Sequence, residues 1–583
     1  MSTKIQKSEK VESKYKNLIF WVLTGLIYLA LAIIFTWPLA KHINSSIIGQ
    51  PDFTDGPFFL WNIWWVKKAL LTFHNLFFSN FVYYPANANL SLHTLTLTTA
   101  LIALPLLPFF KLITTLNIIQ LASIIGSALG MVALVGYLTK NKYAGFVSGL
   151  IFAFCPYIFG HLQAGHYNLT MLWPIPLVTL FFFKTLREKS YLNPVLAGIF
   201  LLAISYLDVQ LMVYALILLL LIFIFELIFG FRKTLNLQKI VFYLIIIAIY
   251  GVGFALPYLL NLKEFWSHRE LLPTYSNGDL QFILGKNPLN PWWGAGKLKV
   301  VEAAVGSYRE NTVALGFTPI LLAILAFVPI RNLIREKFLF LVISLVGFLL
   351  ALGPHFQVRQ VLFPVNLPFF YLQKLPLFNM GIVPTRFIVL AYFGLAVLAG
   401  IFMANIILIF NKRFLKYFVY VAVPIFSVVV GIEYYSGQMR MDNFVASPIY
   451  QEIKNNQGDF SVLPVLTKSD DGYFQTIHDK KMVSGFLGRR INGYYLEQYK
   501  KEPLLGYIAS GETFNLMGAP RPEDKNRELV LATLKKYKIR YLIVDDAAKR
   551  PDEIENVRKY LEGTLGFKVW REDASVVVYK LDI

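Results

Sequence analysis

HTLTLTTALIALPLLPFF, residues 93–110, decides how this chain is threaded. Its 18 residues are apolar enough and long enough to be taken for a membrane span. Pro105 and Pro108 argue against that, because each removes a backbone donor and crowds the preceding turn. Four threonines in the first half add polar groups that lipid does not satisfy. The stretch is therefore expected to lie in the interface or half-inserted, entering and leaving on one side. If it crossed, TKNK at 139–142 would move outside, and every later basic loop would change side with it.

Outward from that stretch, apolar runs of membrane-spanning length recur. Spans are expected near 18–40, 113–137, 143–160, 169–186, 191–207, 209–230, 238–261, 312–330, 337–353, 385–410 and 415–434, eleven in all. The connectors sort into two alternating kinds. One kind is basic: Lys140 and Lys142; Lys184, Arg187 and Lys189; Arg232, Lys233 and Lys239; Arg331, Arg335 and Lys337; Lys412, Arg413 and Lys416. These belong in the cytoplasm with the lysine-rich tail 1–17. The other kind faces outside: 41–112, 161–168, 208, 262–311, 354–384 and everything after 435.

Composition agrees. Of 583 residues, 56% are hydrophobic and only 15% charged, and the mean hydropathy is +0.54. A soluble domain is not built this way. The net charge of +20 sits largely in the inside connectors, so it indicates orientation rather than a nucleic-acid partner. Cys155 is the lone cysteine, which excludes a disulfide within the chain and any cysteine-based metal site. The first apolar run is too long for a signal-peptide core and no small-residue cleavage site follows, so it is expected to stay as the first helix. After 435 charged residues become frequent. Helical periodicity in RELVLATLKKYKI and IENVRKYLEGTLG alternates with strand-like DFSVLPVL, RYLIVDD, FKVWRED and SVVVYKLDI. Residues 436–583 should form a small α/β domain outside the membrane, attached to a transmembrane domain over 18–435 with large outer loops at 41–112, 262–311 and 354–384.

Chemistry concentrates on the outer face. PDFTDGPFFLWNIWWVKKAL, residues 51–70, places Asp52 and Asp55 ahead of an aromatic helix opened by Pro57. Asp55 can cap that helix. It can also act as a general base, since a carboxylate at a low-dielectric boundary has its pKa raised toward working pH. Together with Asp52 it can hold Mg²⁺ or Mn²⁺. Trp61, Trp64 and Trp65 either anchor the helix in the interface or wall a groove for a lipid-linked substrate. Tyr84 and His93 in the following loop offer a stacking face and hydrogen bonds suited to sugars. His161, His166 and Asn168 crowd the outer end of the third span. A spacing of five puts the two histidines off the i,i+4 geometry of a helical metal pair, so zinc is not expected, whereas binding of a phosphate or a sugar hydroxyl is. Asp208 joins two spans with almost no loop and is the candidate second acid. Arg386, just past Pro384, can grip a phosphodiester or snorkel toward headgroups.

The order of these pieces resembles a known family. A basic N-terminus and one span precede an outer loop with Asp55, Trp61, Asn62, Trp64 and Trp65. Tyr84-Pro85, His93-Thr94, Gly165-His166-Tyr167-Asn168 and Pro384-Thr385-Arg386 follow, and an outer domain ends the chain. This layout is similar to that of the GT-C superfamily of integral membrane glycosyltransferases, including the YfhO-like group. The resemblance implies transfer of a sugar from a polyprenyl-phosphate donor to a glycan, lipid or protein acceptor on the non-cytoplasmic face, with Asp55 or Asp52 as the essential acid. In a bacterium it also implies the plasma membrane. The rival readings are a transporter or flippase for lipid-linked sugars and a non-catalytic scaffold. A transporter should carry polar groups along the middle of several spans. Few are present, Glu226 in LIFIFELIFG being one.

Overall fold

The apolar runs fold as helices because nothing else satisfies their backbone groups away from water. The computed structural model describes residues 2–49, 55–262, 278–294, 308–328, 335–375, 383–409, 412–465, 470–488, 491–506, 522–545 and 551–582. In chain order the elements needed here are α1 (Ser2–Phe35), α2 (Gly56–Leu71), α3 (Leu97–Ala103), α4 (Leu112–Thr139), α5 (Ala144–Ala153), α6 (Pro156–Gln163), α7 (Tyr167–Thr170), α8 (Pro174–Arg187), α9 (Leu192–Ser205), α10 (Val209–Thr234) and α11 (Leu237–Tyr250). After these come α12 (Phe317–Leu325), α13 (Glu336–Ala351), α14 (Ile388–Ile409), α15 (Lys412–Tyr434), α16 (Asp471–His478) and α17 (Arg527–Lys536).

Among the described residues six segments are long and apolar enough to cross a membrane: Tyr15–Phe35, Leu112–Thr139, Ala144–Gln163, Val209–Phe231, Leu237–Asn261 and Pro384–Ile407. Eleven were expected. Two of the other five are shorter helices. The segment expected at 169–186 starts its long helix only at Pro174 and keeps 14 residues, and α9 also has 14. At 1.5 Å per residue such helices reach about 21 Å, short of a ~30 Å core. The run 93–110 holds only the seven-residue α3 before Leu104–Phe109 turn, as its two prolines require.

The chain divides into two compact units. The first comprises Met1–Phe53, Leu116–Leu259 and Phe265–Asp442; the second comprises Thr54–Thr115, Leu260–Glu264 and Asn443–Ile583. The division does not follow the boundary expected at 435, because the first outer loop packs with the tail.

In the first unit residues 387–405 are buried without interruption. This segment crosses α13 closely. A Cβ on Gly394 would stand 2.5 Å from the Phe340 carbonyl oxygen, and one on Gly347 would stand 2.5 Å from the Ala391 nitrogen. Small residues at the crossing let the two backbones approach. At the basic end of this bundle Glu226 is held by Arg187 at 2.5 Å and Arg335 at 2.6 Å, and Arg187 also reaches Glu336 at 2.7 Å. Glu226 is thus a clamp between helices, not a polar step on a route through them.

In the second unit the tail forms a five-stranded sheet. Its strands are β1 (Ser461–Pro464), β2 (Lys481–Met482), β3 (Ile539–Asp545), β4 (Val569–Glu572) and β5 (Val576–Lys580), in the order β4-β5-β3-β1-β2. β1 runs parallel to β2 and β3, while β5 is antiparallel to β3 and β4. The first outer loop closes the β2 edge: Met482 N donates to Phe81 O at 2.8 Å and Tyr84 N to Met482 O at 2.9 Å. An otherwise open row of backbone groups is satisfied in this way. Helix α2 lies on α16 through Trp61 Nε1, which donates to Gln475 Oε1 at 2.6 Å, and through Lys68, 2.6 Å from Asp479.

Candidate functional site

Five segments of the first unit bring polar side chains to one end of its apolar helices. Helix α6 ends at Gln163, and Gly165 follows with φ +73°, a left-handed conformation that glycine adopts without strain. The turn folds the chain back, so that His166 N donates to His161 O at 2.9 Å and the two Nδ1 atoms lie 2.9 Å apart. The expectation from helical spacing fails here, because the two histidines do not share a helix. A left-handed glycine turn pairs residues five apart.

Glu310 enters from a 3₁₀ turn over Tyr308–Asn311, and Arg386 from another over Pro384–Phe387 that leads into α14. The guanidinium holds the carboxylate with two bonds, Nε to Oε2 at 3.1 Å and Nη2 to Oε1 at 2.5 Å. Its Nη1 donates to Gln210 Oε1 at 2.9 Å. Gln210 is placed by the start of α10, where Asp208 Oδ1 caps the helix by accepting from Gln210 N at 2.6 Å. Asp208 Oδ2 accepts from Asn168 Nδ2 at 2.8 Å. A continuous polar chain therefore runs Asn168–Asp208–Gln210–Arg386–Glu310, with His161 Nε2 at 3.7 Å and His166 Nδ1 at 3.9 Å from the Glu310 oxygens. Burial alone would push the Glu310 carboxyl up. The Arg386 guanidinium, helped by the histidines, outweighs it and holds the group well below the usual carboxylate range.

His161, His166, Asn168, Asp208 and Arg386 all belong to this cluster. Two roles change. Asp208 is committed to a helix cap and to Asn168 rather than standing as a second acid. Arg386 is not an open phosphate grip, because Glu310 already occupies two of its nitrogens. Sequence reading missed Glu310 and Gln210. The signal available was the need of Arg386 for a carboxylate at a neighbouring span end, and Glu310 is the acid two residues before the span expected at 312.

The first-loop candidates lie in the second unit. Asp55 precedes α2 with its carbonyl accepting from Phe58 N at 3.2 Å, and its side chain makes no cap bond. Asp52 falls outside the described residues, so of the expected cation-binding pair only Asp55 is placed. Trp61 is buried against Gln475. His93 is buried with both nitrogens engaged, Nε2 with Asn62 Oδ1 at 2.8 Å and Nδ1 accepting from Gly488 N at 3.0 Å. Tyr84 gives its backbone to Met482 and Tyr499, and its ring lies 4.9 Å below the Lys481 ammonium. Tyr84 and His93, expected at a sugar, and Trp61, expected at the interface or a lipid groove, join the first outer loop to the tail.

No protein-family model matches the chain, and no curated protein does. Solved structures do. The arabinofuranosyltransferase AftD from Mycobacteria aligns over 96% of this chain with a TM-score of 0.58 at 13% identity. The chain shares the fold of that protein. The chain spans 40% of the length of AftD. The oligosaccharyltransferase of Archaeoglobus fulgidus aligns over 97% of this chain and 74% of its own, with a TM-score of 0.47 at 12% identity. ArnT from Cupriavidus metallidurans, solved with undecaprenyl phosphate, aligns over 96% and 97%, with a TM-score of 0.46 at 10% identity.

Proposed function

We propose that this chain is a GT-C membrane glycosyltransferase that moves a sugar from a polyprenyl-phosphate donor to an acceptor outside the cytoplasm, with inversion. The observation that carries the reading is the gathering of Arg386, His161 and His166 around one carboxylate at the ends of apolar helices. An isoprenoid tail lying among such helices brings its phosphate to this level, where the Arg386 guanidinium recognises it. Among the described residues Arg386 Nη1 bonds a neutral amide, that of Gln210. Exchanging that amide for a phosphate oxygen leaves the pair with Glu310 intact.

In the reaction the acceptor hydroxyl oxygen attacks the anomeric carbon from the face opposite the phosphate. The bond from that carbon to the phosphate oxygen breaks, and polyprenyl phosphate leaves with the electron pair. Arg386 offsets the charge that builds on the departing phosphate. Asp55 takes the acceptor proton. The acceptor is a cell-surface glycan, lipid or protein, and the N-terminal tail is cytoplasmic. The test is sugar transfer by purified protein from a panel of polyprenyl-phosphate sugars. Transfer should disappear in Asp55→Asn protein that still melts cooperatively, and full activity in that variant removes Asp55 as the base.

A further inference from the structure

His161, His166 and Glu310 each offer a ligating atom, and those atoms lie within 4.8 Å of one another. Three features separate this group from an ordinary buried ion pair. The first is donor chemistry: two imidazoles and a carboxylate suit zinc and its borderline neighbours better than magnesium or calcium. The second is spacing. His161 Nε2 stands 3.7 Å from Glu310 Oε2, and His166 Nδ1 stands 3.9 Å from Oε1. Both are too long for hydrogen bonds. Two ligands at about 2.1 Å from one tetrahedral ion stand ~3.4 Å apart, so a small contraction closes the site. The third is an orphaned atom. His161 is 1% exposed and its Nε2 has no hydrogen-bond partner. A buried polar atom left in that state costs about 1–3 kcal/mol and calls for an occupant.

We propose that His161, His166 and Glu310 bind one divalent transition-metal ion of the zinc class. His161 ligates through Nε2 and Glu310 through a carboxylate oxygen. His166 exchanges its contact with His161 Nδ1 for the ion, giving three protein ligands and a fourth position for water or an anionic ligand. Arg386 remains as the partner that orients the carboxylate. Tyr157, whose ring meets that of His161 at 4.3 Å, fixes the imidazole plane. The site uses no residue of the first outer loop and does not depend on glycosyl transfer.

The test uses full-length protein with its affinity tag removed, stripped by chelator and titrated calorimetrically with Zn²⁺. A parallel titration with Co²⁺ reads ligand-field absorption. One ion per chain is expected, with the visible bands of a four-coordinate nitrogen and oxygen site. Glu310→Gln and His166→Ala should each weaken binding about tenfold or more, and His161→Ala should abolish it. His166 is the least buried of the three, so its variant decides the matter if His161→Ala fails to fold. The absence of saturable 1:1 binding in the wild type, or binding unchanged in both His166→Ala and Glu310→Gln, overturns the proposal. Metal binding without sugar transfer leaves it standing while removing the proposed function, and transfer without metal binding does the reverse.

Discussion

Glu310 and Arg386 offset each other's charge where burial would make either one costly alone. Removing one member of such a pair strands the other, a loss of about 3–5 kcal/mol. Glu310→Gln should lower the melting temperature sharply. The double variant Glu310→Gln, Arg386→Met should recover part of the loss, which a double-mutant cycle reads directly. The carboxyl is depressed from its ordinary 4.5, so its contribution is complete above that value and is lost as pH falls below it. His478, in the second unit, behaves differently. Burial pushes its pKa from 6.5 down to about 3, with Lys480 adding to the shift, and its Nδ1 accepts from Lys480 N at 3.1 Å. The folded protein keeps this ring neutral while the unfolded chain takes up a proton. Stability is therefore unaffected above pH 6.5 and falls as pH drops from there toward 3, by about 2 kcal/mol at pH 5. Denaturant titrations of wild type and His478→Gln between pH 7 and 5 check this: the wild type should lose stability that the variant keeps. Neither residue was prominent in the sequence, because a buried partner is defined by what the fold brings beside it.

At the scale of elements, α2 and α16 depend on each other. Trp61 is 2% exposed and bonded to Gln475, whose amide also donates to Phe81 O at 2.6 Å. Trp61→Ala should cost about 3–5 kcal/mol. Residues 443–583 expressed without 54–115 should not fold cooperatively, because the β2 edge and the face of α16 lose their cover. Circular dichroism melts of the fragment alone and of a version joined to 54–115 distinguish the cases, and a cooperative melt of the bare tail contradicts this packing. The aromatic run over 58–65 was conspicuous in the sequence, but its partner was not. An amphipathic helix announces that it will bury a face without saying against what. The same limit explains the histidines of the first unit, whose meeting depends on the sign of φ at Gly165. By contrast, Pro105 and Pro108 made the non-crossing segment readable, because proline acts on its own backbone.

Over the whole molecule, the apolar helices long enough to cross a membrane were legible because hydrophobic length is a local sum. The count of eleven spans is not confirmed among the described residues, since apolar composition continues through turns such as Met171–Trp173 where the helix does not. The partition into two units was not legible either, because it rests on contacts between residues 54–115 and a tail more than 300 positions away. What the account most needs is a direct test of chemistry. Purified full-length protein, supplied with radiolabelled polyprenyl-phosphate sugars and a membrane extract as acceptor, should transfer label from at least one donor. Asp55→Asn, folded by its melt, should transfer none. Absence of both donor binding and transfer across the panel, or equal transfer by wild type and Asp55→Asn, contradicts the account.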